Sequence, residues 1–471
     1  MSEPQKLERG LGLIEATSLN MTFMVGIGPF VVIPFVIQEM HGGTQALVAW
    51  VAGAILALCD GCIWAELGAA MPEAGGSYVF LREAYGPRRW GHMLAFLYIW
   101  QTLFQGPLSV ASGALGFADY STYLVNRSTW LSRTIAAIAA ALRMHADNII
   151  AAAILVLVIV LLYRRITQIG KISVVFAVAV IGTILWIIWG GAEHFNAHRV
   201  FFSGGGWNLS FFFFAALGHG MVQTVYSYLG YYNVCNLGSE MKNPERNIPA
   251  AIFISILGIT VLYLAMQVSI LSVIPWQEAA KSKFIASTFI ERAYGSHWAT
   301  LATVLILITA LGSVFSAMLG YSRVPYAAAL DGNFLSVFAR VHRKKHFPHV
   351  SLVALGLTAI AFSMVFSLIS VIKAILAMRC LIQFAGQGIG LIVLHKRYAS
   401  GRQPGGHLPF RMWLYPLPVG IAIVGWIAIF LSTGRIAIFA SLAAAIAGIL
   451  VYLTRARWAR QWPFLAEEVA P

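Results

Sequence analysis

An all-α membrane protein of about twelve transmembrane helices is the fold class the sequence predicts, and three observations carry it. Hydrophobic residues make up 59% of the 471 positions and charged residues only 11%, whereas about a quarter of a soluble chain is charged. Apolar runs of roughly 20 residues recur along the whole length, each long enough to cross a hydrocarbon core of about 30 Å as a helix. Most of the 32 Lys and Arg fall in segments that a threading with an inside N-terminus places in the cytoplasm, while Lys373 and Arg379 fall within a span. That is the positive-inside asymmetry, and it accounts for the formal net charge of +14 without a nucleic-acid partner. The alternating pattern of a membrane barrel is absent.

In chain order the spans read as residues 13–38, 44–70, 90–118, 148–163, 170–191, 208–237, 248–274, 298–322, 350–370, 372–395, 412–432 and 435–454. Residues 1–12 form an N-terminal tail, expected to be retained because no basic leader and cleavage site frame the first run. An even number of crossings returns the tail 455–471, with Arg455, Arg457 and Arg460, to the side of Arg343, Lys344 and Lys345. The stretch TIAAIAAAL at 134–142 is too short to cross between Arg133 and Arg143, so a short external helix is expected there. The four cysteines sit in apolar stretches; Cys59 and Cys62 nominally form a CxxC, but without a second pair they read as packing.

Two spans are interrupted. The first carries Gly26, Ile27, Gly28 and Pro29, and the sixth carries Tyr228, Leu229, Gly230, Tyr231, Tyr232 and Asn233. Glycine weakens a helix by about 1 kcal/mol and proline by about 3 kcal/mol. Broken backbone at membrane depth survives only where protein or a water-filled cavity satisfies it. The two breaks lie in corresponding positions of two five-helix blocks, 13–191 and 208–395, with the helices of 412–454 left over. Such a pair points to a binding site at a repeat interface.

Three further segments carry a likeness. After the sixth span runs SEMKNPERNIPAAI, with Glu240, Asn243, Pro244, Arg246, Asn247 and Pro249. After the second runs AELGAAMPEAGGSYVFLREAYG, with Glu66, Pro72, Gly75, Gly76, Tyr78 and Gly86, and after the eighth runs LDGNFLSVFARVH, from Asp331 to His342. With GIGPF, these landmarks cover residues 11–395, and the chain resembles the amino acid, polyamine and organocation permease superfamily, in its bacterial amino acid permease branch. The resemblance implies a leucine-transporter-type five-plus-five inverted repeat followed by two C-terminal helices. It also implies a secondary transporter moving amino acids by alternating access across the inner (plasma) membrane, with both termini cytoplasmic. Coupling to protons or exchange is expected, with a polyamine or organic amine carrier, or a sodium-coupled symporter of the same fold, as alternatives.

At an unwound segment, N–H groups opening the next half-helix carry partial positive charge and freed C=O groups before it carry partial negative charge. The amides of Ile27, Gly28 and Phe30 are therefore candidate donors to a carboxylate. Carbonyls of Met24 and Val25, with those of Tyr226 and Leu229, are candidate acceptors for an ammonium. Gly26 and Gly230 leave room for both, and Tyr226 stands where the superfamily has an aromatic gate. The chain departs from the superfamily's Gly-Ser-Gly-Ile pattern: Pro29 has no N–H and Ile27 replaces a small residue.

No lysine lies midway along the fifth span, where proton-using members of the superfamily tend to place one; Lys171 sits at its edge as a snorkelling residue. An ionisable side chain inside the bilayer is by default a functional candidate. Asp60 is the deepest acid and the candidate for proton coupling, while Glu66 is expected to anchor the Pro72 to Tyr78 loop and His219 to pack. Ser313 and Ser316, three apart on one helix face, are the alternative for a sodium site. A channel would need a continuous polar pore or a carbonyl filter, and a membrane enzyme a motif such as HExxH; neither is visible. No cofactor and no resident metal is expected.

Overall fold

The computed structural model describes residues 7–87, 89–125, 127–142, 145–201, 210–400, 408–458, 460 and 462–464. Among these residues the helices run, in chain order, α1 Leu13–Met24, α2 Gly28–Met40, α3 Gly43–Ala70, α4 Ser77–Tyr85, α5 Trp90–Val125, α6 Thr129–Leu142 and α7 Ala146–Leu162. They continue with α8 Ile166–Glu193, α9 Ala197–Phe201, α10 Phe211–Tyr228, α11 Asn233–Asn236, α12 Pro244–Val273, α13 Trp276–Ala279 and α14 Ile285–Tyr294. The last are α15 Ser296–Tyr321, α16 Arg323–Leu330, α17 His349–Val365, α18 Leu368–Arg379, α19 Gly386–Ala399, α20 Leu417–Ser432 and α21 Arg435–Trp458. A π-helical turn at Cys380–Ala385 joins α18 to α19.

Six segments among the described residues, Gly43–Ala70, Ile166–Glu193, Pro244–Val273, Ser296–Leu330, Leu368–Ala399 and Arg435–Trp458, are long and apolar enough to cross a bilayer. The pair α1 and α2, bent by 44°, makes a seventh if it acts as one span. Helices α7, α17 and α20 are apolar but shorter, so length and composition alone do not reach the expected twelve. Side chains such as Val175, Val178 and Leu185 on α8, and Ile436, Phe439 and Ile446 on α21, are exposed. Apolar groups on the outside of a helical bundle are what a lipid solvent requires.

Both expected breaks are present, each a little displaced. Helix α1 ends at Met24 and α2 starts at Gly28, so the interruption is Val25 to Ile27. Gly28 and Pro29 open the next half-helix, where a missing N–H costs nothing. The second break is Leu229 to Tyr232, between α10 and α11.

The connecting segments sort onto two ends. At one end the amides of Gly10 and Leu11 donate to the Glu240 carbonyl, each at 3.0 Å, and Lys242 N–H donates to the Leu11 carbonyl. There also Ala74 N–H donates to Ser239 Oγ, Asn333 Nδ2 donates to the Tyr78 hydroxyl at 2.7 Å, and Arg455 donates to the carbonyls of Gly332 and Asn333. The three landmark segments thus meet on one surface. Asn243, at φ 44°, caps α12 and Pro244 takes its first position. Glu240, fully buried, accepts two hydrogen bonds from the equally buried Arg323, at 2.8 and 3.0 Å. A paired guanidinium and carboxylate satisfy each other where either alone would be costly.

Helix α6 covers the stretch 134–142. Before it, Arg127 pairs with Glu291 and donates to the Ser296 carbonyl at the start of α15. After it, Asn148 donates to the Met364 carbonyl at the end of α17. Ser351 Oγ donates to the Ser322 carbonyl, which joins the other ends of α15 and α17. The chain therefore enters and leaves α6 at the same end of the bundle.

Candidate functional site

The two breaks lie against each other. A Cβ built on Gly230, whose φ is +131°, would come 2.9 Å from Met24 N. Asn20 on α1 reaches across: its Nδ2 donates to the Tyr231 carbonyl at 2.6 Å and its Oδ1 accepts from Val234 N–H at 3.0 Å. The Tyr263 hydroxyl on α12 lies 2.8 Å from the Met24 carbonyl and 3.1 Å from that of Ser227, the last turns of the two half-helices. Freed backbone groups of both breaks are thus held by buried polar side chains, as a dry interior demands.

Beside them lies a cavity of about 40 Å³, lined among others by Met24, Gly26, Ile27, Gly28, Tyr226, Leu229 and Ser313. A single water needs roughly 10–15 Å³ by this measure, so the space admits a few waters, and a larger guest requires its walls to move. Tyr226 donates to Ser112 Oγ at 2.9 Å. The Tyr226 carbonyl accepts from Leu229 N–H at 3.2 Å. Gly26 packs against Ser313, where any added Cβ would run into the serine hydroxyl at 2.5 Å.

Of the residues singled out from sequence, Val25, Phe30 and Gly230 lie outside the lining; Val25 and Phe30 are fully buried. Asp60, also buried, sits apart from the cavity on α3, accepting from Tyr231 at 2.6 Å and from Trp426 Nε1 at 3.0 Å. It is therefore wired to the second break. Ser316 is fully buried and outside the lining, with its carbonyl accepting from Asn233 at 3.0 Å. Glu66 does not hold the Pro72 to Tyr78 loop. It pairs with His395 at 2.6 Å and accepts from Met412 N–H, tying α3 to α19 and the segment before α20. His219 is exposed and faces the Ser432 carbonyl at 3.2 Å.

Sequence reasoning passed over four polar residues of the lining: Ser109 and Ser112 on α5, Ser227 on α10, and Arg379 at the end of α18. The signals were present. A cation inside a span marks a functional position by the same rule that singled out Asp60, and two serines three apart repeat the spacing of Ser313 and Ser316.

A family model described as amino acid permease matches residues 11–453. The serine/threonine exchanger SteT of Bacillus subtilis is 27% identical over 431 residues, covering 90% of this chain and 91% of that protein. The human cationic amino acid transporter 4 is 26% identical over 400 residues, 84% of this chain but 61% of the longer relative. The human cystine/glutamate transporter is 25% identical over 421 residues, 88% of this chain and 78% of that protein.

Proposed function

The chain belongs to the amino acid permease family, and we propose that it is a secondary transporter carrying an amino acid through the cavity between its two broken helices. The observation that carries this reading is the convergence of both breaks on one polar-lined space. The first turn of α2, where Gly28 lines the cavity with an amide that has no intrahelical acceptor, suits the α-carboxylate. Carbonyls of Met24, Tyr226 and Leu229, which line the cavity, suit the ammonium group. Tyr226 closes over the substrate, and alternating access follows from α1–α2 and α10–α11 rocking against the remaining helices. The relatives named above transport, by their names, serine and threonine, cationic amino acids, or cystine and glutamate, so they do not select the side chain.

The architecture that goes with this reading is twelve crossings in the plasma membrane with both termini cytoplasmic. Residues 13–191 and 208–395 would be inverted repeats and 412–454 a final pair. The sorting of connections onto two ends, with α6 returning to the end it left, supports that parity.

For coupling we place the proton on Asp60, because its carboxylate holds Tyr231 within the second break. Asparagine keeps the shape, and its oxygen can face Trp426 while its amide donates to the Tyr231 hydroxyl. In liposomes, the parent should show saturable amino acid uptake driven by an imposed pH gradient. Asp60→Asn should retain exchange of labelled substrate while losing accumulation. Uptake that ignores the pH gradient and rises with external sodium would transfer the role to Ser313 and Ser316. Saturable uptake of polyamines in place of amino acids would overturn the substrate class.

A further inference from the structure

Arg379 is buried to 1% exposure and lines the cavity beside the broken helices. Its Nη1 donates to the Tyr232 hydroxyl, and its Nη2 donates to Ser109 Oγ and the Tyr321 hydroxyl. The guanidinium also stands 5.2 Å from the centre of the Tyr321 ring. Among the described residues its Nε has no hydrogen-bond partner. Among the described residues no Asp or Glu forms an ion pair with it. The contrast with Arg323, buried as deeply but matched by Glu240, is direct. Asp60 is held instead by Tyr231 and Trp426, and the rings of Tyr231 and Tyr232 are 5.2 Å apart.

Three hydroxyl dipoles orient a cation but do not neutralise it, and a buried charge lacking a counter-charge is costly. Among the named lining residues Arg379 is the sole ionised side chain, and the first turn of α2 adds partial positive charge on another wall. The formal charge on the named lining side chains is therefore positive. We propose that Arg379 is a specificity-determining residue whose missing counter-ion is an anionic group on the substrate, so that the cargo is an acidic amino acid carrying net negative charge. The inference rests on the permease reading above: with the α-carboxylate taken by the amides opening α2, the guanidinium is left for a second, side-chain carboxylate. The fork of N–H donors suits a carboxylate in a way an ammonium point charge does not. The same field disfavours lysine, arginine and polyamines, whose extra charge would meet Arg379 unshielded.

The test uses full-length protein in liposomes and compares L-glutamate with L-glutamine, which differ in charge at nearly constant shape, and with L-lysine. The parent should take up glutamate with an affinity at least about tenfold above that for glutamine, a truncated buried charge pair typically being worth that and more, and should reject lysine. Arg379→Gln should erase or invert the glutamate preference while glutamine exchange persists, and Arg379→Lys should restore part of it. A parent that prefers glutamine or lysine over glutamate overturns the proposal whether or not the variant folds. So does a folded Arg379→Gln protein that keeps the parent's glutamate to glutamine ratio, or that loses both substrates together. Absence of uptake for every amino acid would instead sink the permease reading, and this inference with it.

Discussion

Gly28 and Gly230 are both glycines at a helix break, but for different reasons. Gly230 sits at φ +131°, a conformation closed to side chains, with the α1 backbone too near for a Cβ. Gly28 has no such constraint: it begins α2, and an added Cβ would make ordinary contacts 3.5 Å from Ser227 Oγ and Tyr226 Cε1. Sequence alone suggested an unwound glycine at Gly28, whereas it opens α2 and lines the cavity. Gly28→Ala should therefore transport with affinity near the parent's. Gly28→Val, whose branched carbons project between Tyr226 and Ser227, should weaken substrate affinity by at least about tenfold, roughly 1.4 kcal/mol, in a protein that still folds. A substrate titration by thermal shift reads this directly. Equal affinity in the valine variant would mean the substrate does not pass this wall.

At the scale of elements, two buried polar side chains bridge the two half-helix pairs, Asn20 and Tyr263, while Asp60 ties Tyr231 of the second break to α3 and to Trp426 on α20. The breaks themselves were legible, since Gly-x-Gly-Pro and an isolated Gly among tyrosines are poor helix formers at membrane depth. The partners were not, because Asn20 and Tyr263 lie 211 and 36 positions from the backbone groups they satisfy, and no local pattern announces a contact across that distance. Glu66 was misassigned for the same reason: its nearest loop in sequence is not its partner in space. Tyr263→Phe leaves the Met24 and Ser227 carbonyls without their shared donor in a dry interior, a loss of about 1–3 kcal/mol. The unfolding midpoint of purified Tyr263→Phe should fall clearly below the parent's. An unchanged midpoint would show that water or another group already serves those carbonyls.

For the whole molecule, sidedness follows from combining charge with contact. The surface where Leu11, Ala74, Glu240, Asn333 and Arg455 meet also carries Lys345, whose Nζ donates to the Tyr163 carbonyl at 2.6 Å. That surface gathers segments rich in Lys and Arg, whereas at the opposite end Arg127 pairs with Glu291 and Arg292 with Glu278. Positive-inside retention predicts a cytoplasmic position for the first surface. Lys345 is engaged, but its neighbour Lys344 is exposed and so is Lys281 at the opposite end. Three of the four native cysteines are buried and Cys59 is partly so, which keeps the background low. In intact cells an impermeant thiol reagent should label Lys281→Cys and leave Lys344→Cys unmodified until the membrane is opened. Labelling of Lys344→Cys from outside would reverse the orientation, and it would require the charge asymmetry to run against the retention that otherwise explains a net charge of +14.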